Sequence, residues 1–459
     1  MLSRAAGQSR PAAPVRLVHL GLGNFFRAHQ CWYTERAPDA ADWGFAAFVG
    51  HGTTPLVDQL MAQDGLYTLV SRAADRDRFE VLSSLSRAHH AVDHDTWLEY
   101  FRAPHMAGVT ITVTEAGYLR GPDGGLDAQR PDVRADIDAL RRDDTAVVST
   151  APGRLVAGIA ARRRADAGPI ALIPCDNVAG NGAIAERVIR ELAELVEPSL
   201  AAWLSASVSI VTTMVDRITP RTAPEDVRIV AESTGLEDRC AVVTEPFHEW
   251  VLSGEFPAGR PSWHAAGATF TDDVIPFEHR KLWLLNGAHS LLAYAGSILG
   301  HATVAEAASD DKCREWVEQW WAEASRHLDQ PIDQVKAYRA ALLERFTNAR
   351  MHDRLDRIAA DGSQKLPIRI LPVVRAERAA GRMPEGATRV LAAWVCHLRG
   401  LGAPISDAGA DIVVPLAVGP LAAAVPRVLG GLDPELPSDS EVVETVLAQS
   451  EELAGQRVS

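Results

Sequence analysis

The chain of 459 residues is long enough to bury a large apolar core, and 47% hydrophobic with 23% charged residues is typical of globular proteins. This composition excludes a wholly disordered or collagen-like chain. The net charge of −14 argues against a general nucleic-acid or anionic-membrane binder, because the surface of such a protein is basic. We therefore expect neither nucleic acid nor a membrane as a partner.

The cysteine pattern favours a reducing compartment. Five cysteines are an odd number, and no C-x-x-C pair indicates a disulfide framework or a cysteine zinc site. The first fourteen residues lack the apolar segment of a secretory signal. The apolar residues 412–425 are too short to span a bilayer and are interrupted by Pro415 and Pro420. These patterns predict a soluble cytoplasmic protein.

The first half of the chain alternates between strand and helix patterns. Apolar runs of strand length lie at residues 15–20, 45–49, 109–113, 170–174 and 208–215. Stretches with helical periodicity, such as residues 182–196, lie between several of them. Strands that alternate with helices predict an α/β fold with a parallel sheet.

The pattern changes near residue 278. Long stretches rich in Ala and Leu follow at residues 281–299, 312–327, 332–346 and 388–398, almost without strand-like alternation. We predict two domains: residues 1–270 form a Rossmann-type dinucleotide-binding domain, and residues 271–459 form a mostly α-helical domain.

A glycine turn follows the first predicted strand. Gly21 permits a tight turn, and Gly23 lets the backbone approach a pyrophosphate at the start of a helix. The third glycine of the usual fingerprint is replaced by Phe26, so a plain strand-to-helix turn is an alternative. Residues 49–54, after the second strand, contain neither the acid that binds an adenosine ribose nor an arginine for a 2′-phosphate. The choice between NAD and NADP stays open at this point.

Four polar side chains lie close together in one predicted helix. Glu278 and Lys281 are three residues apart, as are Asn286 and His289, so each pair shares a helix face. A lysine removed from water has a lowered pKa and can exchange protons near neutral pH, and an amide can donate to a reacting oxygen. A solvated lysine and a capping asparagine are the structural alternative.

Three further polar clusters follow predicted strands, where open α/β sheets bind ligands: residues 114–118, residues 175–177 and Asp216 with Arg217. Turn formation and helix capping are the alternatives for each cluster.

Together these segments resemble the mannitol dehydrogenase family, the long-chain polyol and sugar-acid dehydrogenases that include mannonate oxidoreductases. The matching stretches occur in family order between about residues 15 and 430: VHLGLGNFFRAHQ (18–30), TEAGY (114–118), CDN (175–177), MVDRITP (214–220), EPFHEW (245–250), KLWLLNGAHSLLAY (281–294) and DGSQKLP (361–367). A sugar-phosphate or hydroxyacid dehydrogenase with a similar fold lacks a reason to carry MVDRITP together with DGSQKLP.

The resemblance implies hydride transfer between a secondary alcohol and a nicotinamide, without a metal ion. It implies that Lys281 is the acid–base residue and that Glu278 gates the passage of its proton. It further implies that Asn177 and Asn286 hold the reacting oxygen, while His289 and Asp216 bind substrate hydroxyls. The predicted cofactor is NAD, and NADP stays open. The residues predicted to contact it are Gly21, Gly23, Asn24, Phe25, Arg27 and Glu115.

The DGSQKLP stretch favours a sugar acid as the substrate. Lys365 and Arg369 supply two cations that can bind a carboxylate, which a polyol lacks. Contacts of these cations with backbone, cofactor phosphate or solvent are the alternative. The preferred reaction is D-mannonate to D-fructuronate, with D-mannitol, D-arabinitol or sorbitol oxidation as an alternative and a catalytically silent sugar or nucleotide sensor as a remote one.

Overall fold

The computed structural model describes residues 2–5, 7 and 9–455. These residues form two compact units, the first ending at Ile275 and the second beginning at Pro276. The outer ends of the two predicted domains, Met1 and Ser459, lie outside the described residues.

All named strands belong to the first unit. They are β1 (Val15–Leu20), β2 (Gly44–Phe48), β3 (Tyr67–Arg72), β4 (Asp77–Leu82), β5 (Leu85–His89), β6 (Gly108–Ile111), β7 (Ile170–Pro174), β8 (Val208–Ile210), β9 (Thr212–Asp216), β10 (Val242–Thr244), β11 (Glu249–Ser253) and β12 (Thr269–Phe270).

The helices of this unit connect the strands. They are α1 (Asn24–Ala28), α2 (Gln30–Arg36), α3 (Pro55–Ala62), α4 (His94–Arg102), α5 (Pro131–Arg142), α6 (Ala151–Arg164), α7 (Asn181–Val196), α8 (Pro198–Ser207) and α9 (Pro224–Thr234). Short 3₁₀ turns lie at residues 40–42, 115–118 and 263–266.

A six-stranded parallel sheet forms the centre of the first unit, in the order β5-β2-β1-β6-β7-β8. The strands β2, β6 and β7 are buried along their whole length, which explains their mainly apolar sequences. Helices α4, α6 and α7 pack on one face, and α1 to α3 contribute to the core on the other. The strand order reverses between β1 and β6, where doubly wound sheets bind their ligands.

The predicted strand at residues 208–215 is two strands in two different sheets. β8 pairs with β7 in the central sheet, whereas β9 pairs antiparallel with β11 in a small sheet of order β12-β11-β9. Between them, the Val211 N–H donates to the Leu172 carbonyl at 2.8 Å. A second small sheet has the order β10-β3-β4.

The second unit is mostly helical, and its described residues 276–455 contain one isolated β-bridge, between Thr303 and Arg354, but no strand. Its helices are α10 (Ile275–Arg280, which starts at the boundary), α11 (Ala288–Leu291), α12 (Val304–Ser309), α13 (Asp311–Ser325), α14 (Ile332–Phe346), α15 (Leu355–Ile358), α16 (Gly362–Arg369), α17 (Leu371–Ala379), α18 (Glu385–Leu398), α19 (Ala410–Leu416), α20 (Leu421–Leu432) and α21 (Ser440–Gly455). Short 3₁₀ turns lie at residues 349–351 and 436–438.

The predicted helix at residues 281–299 is not a regular α-helix. Lys281–Gly287 and Leu292–Gly296 are π-helical, and α11 lies between them.

The predicted fold class, a Rossmann-type α/β domain followed by a mostly α-helical domain, is confirmed. Among the helices of the described residues, none has the length and hydropathy needed to cross a membrane.

Candidate active site

The glycine turn after β1 lies at the strand-order reversal and leaves no room for a side chain. Gly21 has a φ of +114°, and a Cβ atom there would lie 1.9 Å from the Thr112 carbonyl oxygen. The Gly21 and Leu22 N–H groups both donate to the Phe48 carbonyl, at 2.9 Å each. The turn is therefore held against the ends of β2 and β6, and only glycine fits its first position.

Side chains at the start of α1 bind other parts of the first unit. Asn24 donates through Nδ2 to the Pro220 carbonyl at 3.2 Å and accepts at Oδ1 from Arg27 Nη2 at 2.7 Å. The buried Arg27 also donates to the Gly23 and Cys240 carbonyls. Asn24 and Arg27, two of the residues predicted to contact the cofactor, thus hold the glycine turn in place.

The other two predicted cofactor side chains are those of Phe25, which is partly buried, and Glu115. The Phe25 ring stacks on His29 with centroids 4.9 Å apart. Glu115 is exposed and forms an ion pair with Arg120 at 2.5 Å. After β2, His51 is exposed, and residues 49–54 provide no carboxylate for a ribose.

The structure brings the TEAGY and CDN stretches together through Asp176. Its buried carboxylate accepts hydrogen bonds from the Val113 N–H at 2.5 Å and from the Tyr118 hydroxyl. Burial raises the pKa of Asp176 to about 7, against the hydrogen bonds from Tyr118 and Val113 that lower it. The adjacent Asn177 is exposed.

Asn177 does not cap the following helix, because α7 begins at Asn181 after Gly180. Asn181 is a supporting residue that the sequence patterns did not indicate. Its buried Nδ2 donates to the Asp176 carbonyl at 3.1 Å and to the Thr213 carbonyl at 2.9 Å, and its Oδ1 accepts from the Thr213 N–H at 3.0 Å. This side chain ties the loop after β7 to β9, the strand that ends at Asp216.

Asp216 and Arg217 are both buried. Arg217 donates to the Ala28 carbonyl at 2.5 Å and, through Nη2, to the Glu245 carbonyl at 3.2 Å. Burial lowers the pKa of its guanidinium to about 10. The carboxylate of Glu245, in the EPFHEW stretch, accepts from the Ile218 N–H at 2.6 Å. Arg217 and Glu245 therefore both support the loop after β9.

In the second unit, Lys281 is buried and opens the first π-helical segment, while Glu278, Asn286 and His289 are partly buried. In a regular α-helix, residues five apart point about 140° away from each other. A π-helical turn closes from residue i to residue i+5. Lys281 and Asn286 are five residues apart, so the π-helical segment places them one turn apart along the same side.

Two tryptophan side chains of α13 bind carbonyls of this π-helical segment. Trp320 Nε1 on α13 donates to the Trp283 carbonyl at 2.9 Å, and Trp321 Nε1 donates to the Leu284 carbonyl at 2.8 Å. A Cβ atom at Gly287 would lie 2.5 Å from the Trp320 ring, so glycine there allows the close packing.

Lys365 and Arg369 on α16 both donate to main-chain carbonyls. Lys365 Nζ bonds the Ala360 carbonyl at 2.5 Å and the Ile358 carbonyl at 3.4 Å, near the end of α15. Arg369 Nη1 bonds the Asn286 carbonyl at 3.3 Å and Ser290 Oγ at 3.2 Å. Both contacts correspond to the backbone-binding alternative; a carboxylate-binding role stays a prediction.

One group of side chains in the described residues could hold a metal ion: His301, Asp310 and Cys313, whose ligand atoms lie within 4.8 Å of one another. His301 Nε2 lies 3.4 Å from Asp310 Oδ2, and Asp310 Oδ1 accepts from the Cys313 N–H at 2.9 Å. Burial raises the pKa of the Cys313 thiol to about 12, which opposes formation of the thiolate that zinc binds. None of the three is a predicted site residue.

Comparisons with known proteins match both units. Residues 15–265 match the model of the mannitol dehydrogenase Rossmann domain, and residues 273–415 match the mannitol dehydrogenase C-terminal domain. A D-mannonate oxidoreductase of Escherichia coli is 35% identical over 395 residues, which are 84% of this chain and 80% of the relative. A D-arabinitol 4-dehydrogenase of Ralstonia nicotianae is 38% identical over 395 residues, 83% of this chain and 82% of the relative.

Two solved structures share the fold over nearly the whole chain. A substrate-free D-sorbitol dehydrogenase has a TM-score of 0.89 and 27% identity, covering 98% of each chain. The Pseudomonas fluorescens mannitol 2-dehydrogenase, solved as a ternary complex with NAD and D-mannitol, has a TM-score of 0.82 and 30% identity, covering 96% of this chain and 92% of the other.

Proposed function

The chain belongs to the mannitol dehydrogenase family, and from that premise we propose that it is a zinc-independent, NAD-dependent oxidoreductase that interconverts D-mannonate and D-fructuronate. The observation that carries the proposal is the π-helical segment, which places a buried lysine and an amide one helical turn apart. The relative named D-mannonate oxidoreductase and the DGSQKLP stretch support the sugar acid.

A dinucleotide fits the glycine turn of the first unit. Gly21 has no room for a Cβ atom, and the turn lies at the strand-order reversal of the sheet. NAD, when bound, supplies the hydride acceptor. We propose that the cofactor-binding site is formed by Gly21, Gly23, Asn24, Phe25, Arg27 and Glu115.

The chain's own residues move the proton and hold the reacting oxygen. Neutral Lys281 accepts the alcohol proton in oxidation, and its ammonium form returns a proton in ketone reduction. The amides of Asn177 and Asn286 donate to that oxygen and stabilise the developing negative charge without a metal ion. The Lys281 side chain is buried, and the proton step of alcohol oxidation uses its neutral form.

The other predicted site residues serve substrate binding and proton passage. We propose that His289 and Asp216 bind the hydroxyl groups of the sugar. Glu278 passes the proton between Lys281 and solvent. We assign the binding of the substrate carboxylate to Lys365, through the ammonium hydrogen that the Ala360 and Ile358 carbonyls do not use. Arg369, the second cation predicted for this role, binds the Asn286 carbonyl instead.

A direct assay tests the reaction and its substrate. Purified protein is mixed with NAD and, separately, with D-mannonate, D-mannitol or D-arabinitol, and the absorbance of the reduced cofactor is followed. We expect D-mannonate to give the largest kcat/KM. A larger value for a polyol would contradict the sugar acid but leave the reaction class in place. Lack of turnover with every substrate and with both NAD and NADP would favour the silent sensor.

Replacement of the proposed acid–base residue tests the mechanism. We expect Lys281→Met to lower kcat by about 10²–10⁴-fold, because the proton step loses its base, while NADH binding measured by fluorescence is retained. Lys336→Met, which changes an exposed lysine on α14, is the matched control and should keep full activity. Near-normal turnover of Lys281→Met would refute the assignment.

A further inference from the structure

The carbonyl of Asn286 receives hydrogen bonds from two side chains. Ser290 Oγ donates to it at 3.1 Å, and Arg369 Nη1 donates to it at 3.3 Å. The same Nη1 donates to Ser290 Oγ at 3.2 Å, so the three groups form a closed triangle. All three residues belong to the second unit, and Arg369 is the last residue of α16.

This triangle lies where the π-helical segment returns to α-helix, next to Gly287 and α11. A change from i→i+5 to i→i+4 hydrogen bonding shifts the bonding register by one residue and skips one carbonyl. Skipped carbonyls need other donors, since unpaired main-chain groups away from water are costly. Side chains bound to this backbone are therefore well placed to decide whether the π-helical turn persists.

The position of the Asn286 amide depends on that turn. If residues 281–287 returned to regular α-helix, Asn286 would rotate to about 140° from Lys281, and the two side chains would no longer lie on one side. A displacement of about 1 Å at a reacting group can cost about a hundredfold in rate.

Arg369 is bound to this helix through Nη1 of its guanidinium group. Both hydrogens of Nη1 are used by the Asn286 carbonyl and Ser290 Oγ, and among the described residues its buried Nε has no hydrogen-bond partner. Burial lowers the pKa of its guanidinium to about 10, which still leaves it a cation at neutral pH.

We propose that Arg369 is a positioning residue that holds the π-helical turn at Asn286 and so sets the Asn286 amide relative to Lys281. The inference rests on the proposed function. It differs from a carboxylate-reading role because a residue that sets Asn286 affects every substrate alike, whereas a carboxylate contact affects only sugar acids.

Steady-state kinetics on D-mannonate and D-mannitol separate the two roles. We expect Arg369→Met to lower kcat about 10- to 100-fold on both substrates, with KM changed less than about threefold. Arg369→Lys, which keeps a charged N–H donor, should recover part of the loss. Arg427→Met is the matched control, because Arg427 also donates to main-chain carbonyls but at the turn between α19 and α20. An increase of KM for D-mannonate alone would overturn the proposal.

Hydrogen exchange of the main-chain amides at residues 286–292 provides a readout that does not depend on activity. We expect faster exchange there in Arg369→Met, and unchanged exchange in the described helices α18 and α21. Unchanged exchange at 286–292 would overturn the proposal even if the wild-type protein turned over neither substrate, which would refute only the proposed function. If Arg369→Met does not fold, Ser290→Ala removes two of the three hydrogen bonds of the triangle, and the same kinetic and exchange criteria decide.

Discussion

Several buried polar side chains in this protein bind backbone, and their role is to fix the loops that carry the proposed site residues. Asn181, Arg27 and Arg217 each donate to main-chain carbonyls of segments distant in sequence. Removing one partner of a buried hydrogen bond leaves the other unsatisfied, at a cost of about 1–3 kcal/mol. Loops held in this way present exposed groups such as Asn177 with less freedom than a loop bonded only to water.

The first prediction at this scale concerns Gly21→Ala. The added methyl group would overlap the Thr112 carbonyl oxygen at 1.9 Å, and the φ of +114° is unfavourable for any other residue. We expect a loss of about 3 kcal/mol or more in the free energy of unfolding, measured by urea denaturation. Gly50→Ala, which adds a methyl group in open space at the end of β2, should change it by less than about 1 kcal/mol. Equal effects of the two substitutions would contradict the expectation.

A pH dependence follows from the buried carboxyl group of Asp176. Burial raises its pKa in the folded protein to about 7 from 3.8, so between these values the folded state binds more protons than the unfolded state. The stability contribution of this group is therefore full below about pH 4 and is lost as the pH rises toward 7, by at most about 1.4 kcal/mol per pH unit.

Asp176→Asn removes that titration. We expect the free energy of unfolding of the wild-type protein, relative to the variant, to fall between pH 4.5 and 7.5 in urea denaturation series. Asp138→Asn, which replaces an exposed aspartate of α5, is measured in parallel as the control for the substitution itself. A difference between wild type and Asp176→Asn that stays constant with pH would refute the assignment of the titrating group.

At the scale of elements, the π-helical segment that carries Lys281 receives hydrogen bonds from side chains of neighbouring helices. Indole N–H groups of Trp320 and Trp321 and the guanidinium of Arg369 bind carbonyls in residues 283–286. Donors of this kind compensate for the altered main-chain bonding of a π-helical segment, and such segments are frequent at functional sites.

Gly287→Ala tests how far the packing of α13 supports this segment. The φ of Gly287 is −65°, so alanine brings no backbone strain, but its methyl group would lie 2.5 Å from the buried Trp320 ring. We expect a loss of about 1–3 kcal/mol in stability from overpacking, together with a lower kcat, measured by urea denaturation and by turnover. Gly455→Ala, in open space at the end of α21, should change neither quantity. An unchanged kcat in Gly287→Ala would show that Trp320 does not support the reaction.

The elements also show which features the sequence could predict. The strands β1 and β7 are predicted with their observed bounds. For β7 the reason is that a strand buried along its whole length has a continuous apolar sequence. The division of residues 208–215 and the π-helical segments were not predicted, since both depend on partners distant in the chain. Family stretches pointed to Lys281 and Asn177, but not to the supporting role of Asn181, which only its contacts with Thr213 reveal.

At the scale of the whole molecule, the two units carry different parts of the proposed chemistry. The first contains the glycine turn and Asn177, and the second contains Lys281, Asn286 and His289. Each has its own buried core, exemplified by Trp97 in the first and Trp394 in the second. Chains of two such units need not unfold in one step, so stability changes are best assigned from probes within the altered unit.

The last prediction concerns metal ions. The proposed mechanism stabilises the reacting oxygen with amide donors, so prolonged dialysis against a chelator should leave kcat and KM unchanged within about twofold. If the reaction did require a metal ion, the cluster of His301, Asp310 and Cys313 is the group of described residues that could hold it. Cys313→Ser keeps the size of that side chain while removing its sulfur ligand, and we expect it to retain activity before and after chelation. A loss of activity on chelation that zinc restores in the wild type but not in Cys313→Ser would show that the reaction depends on a metal at this cluster, and would refute the metal-free mechanism.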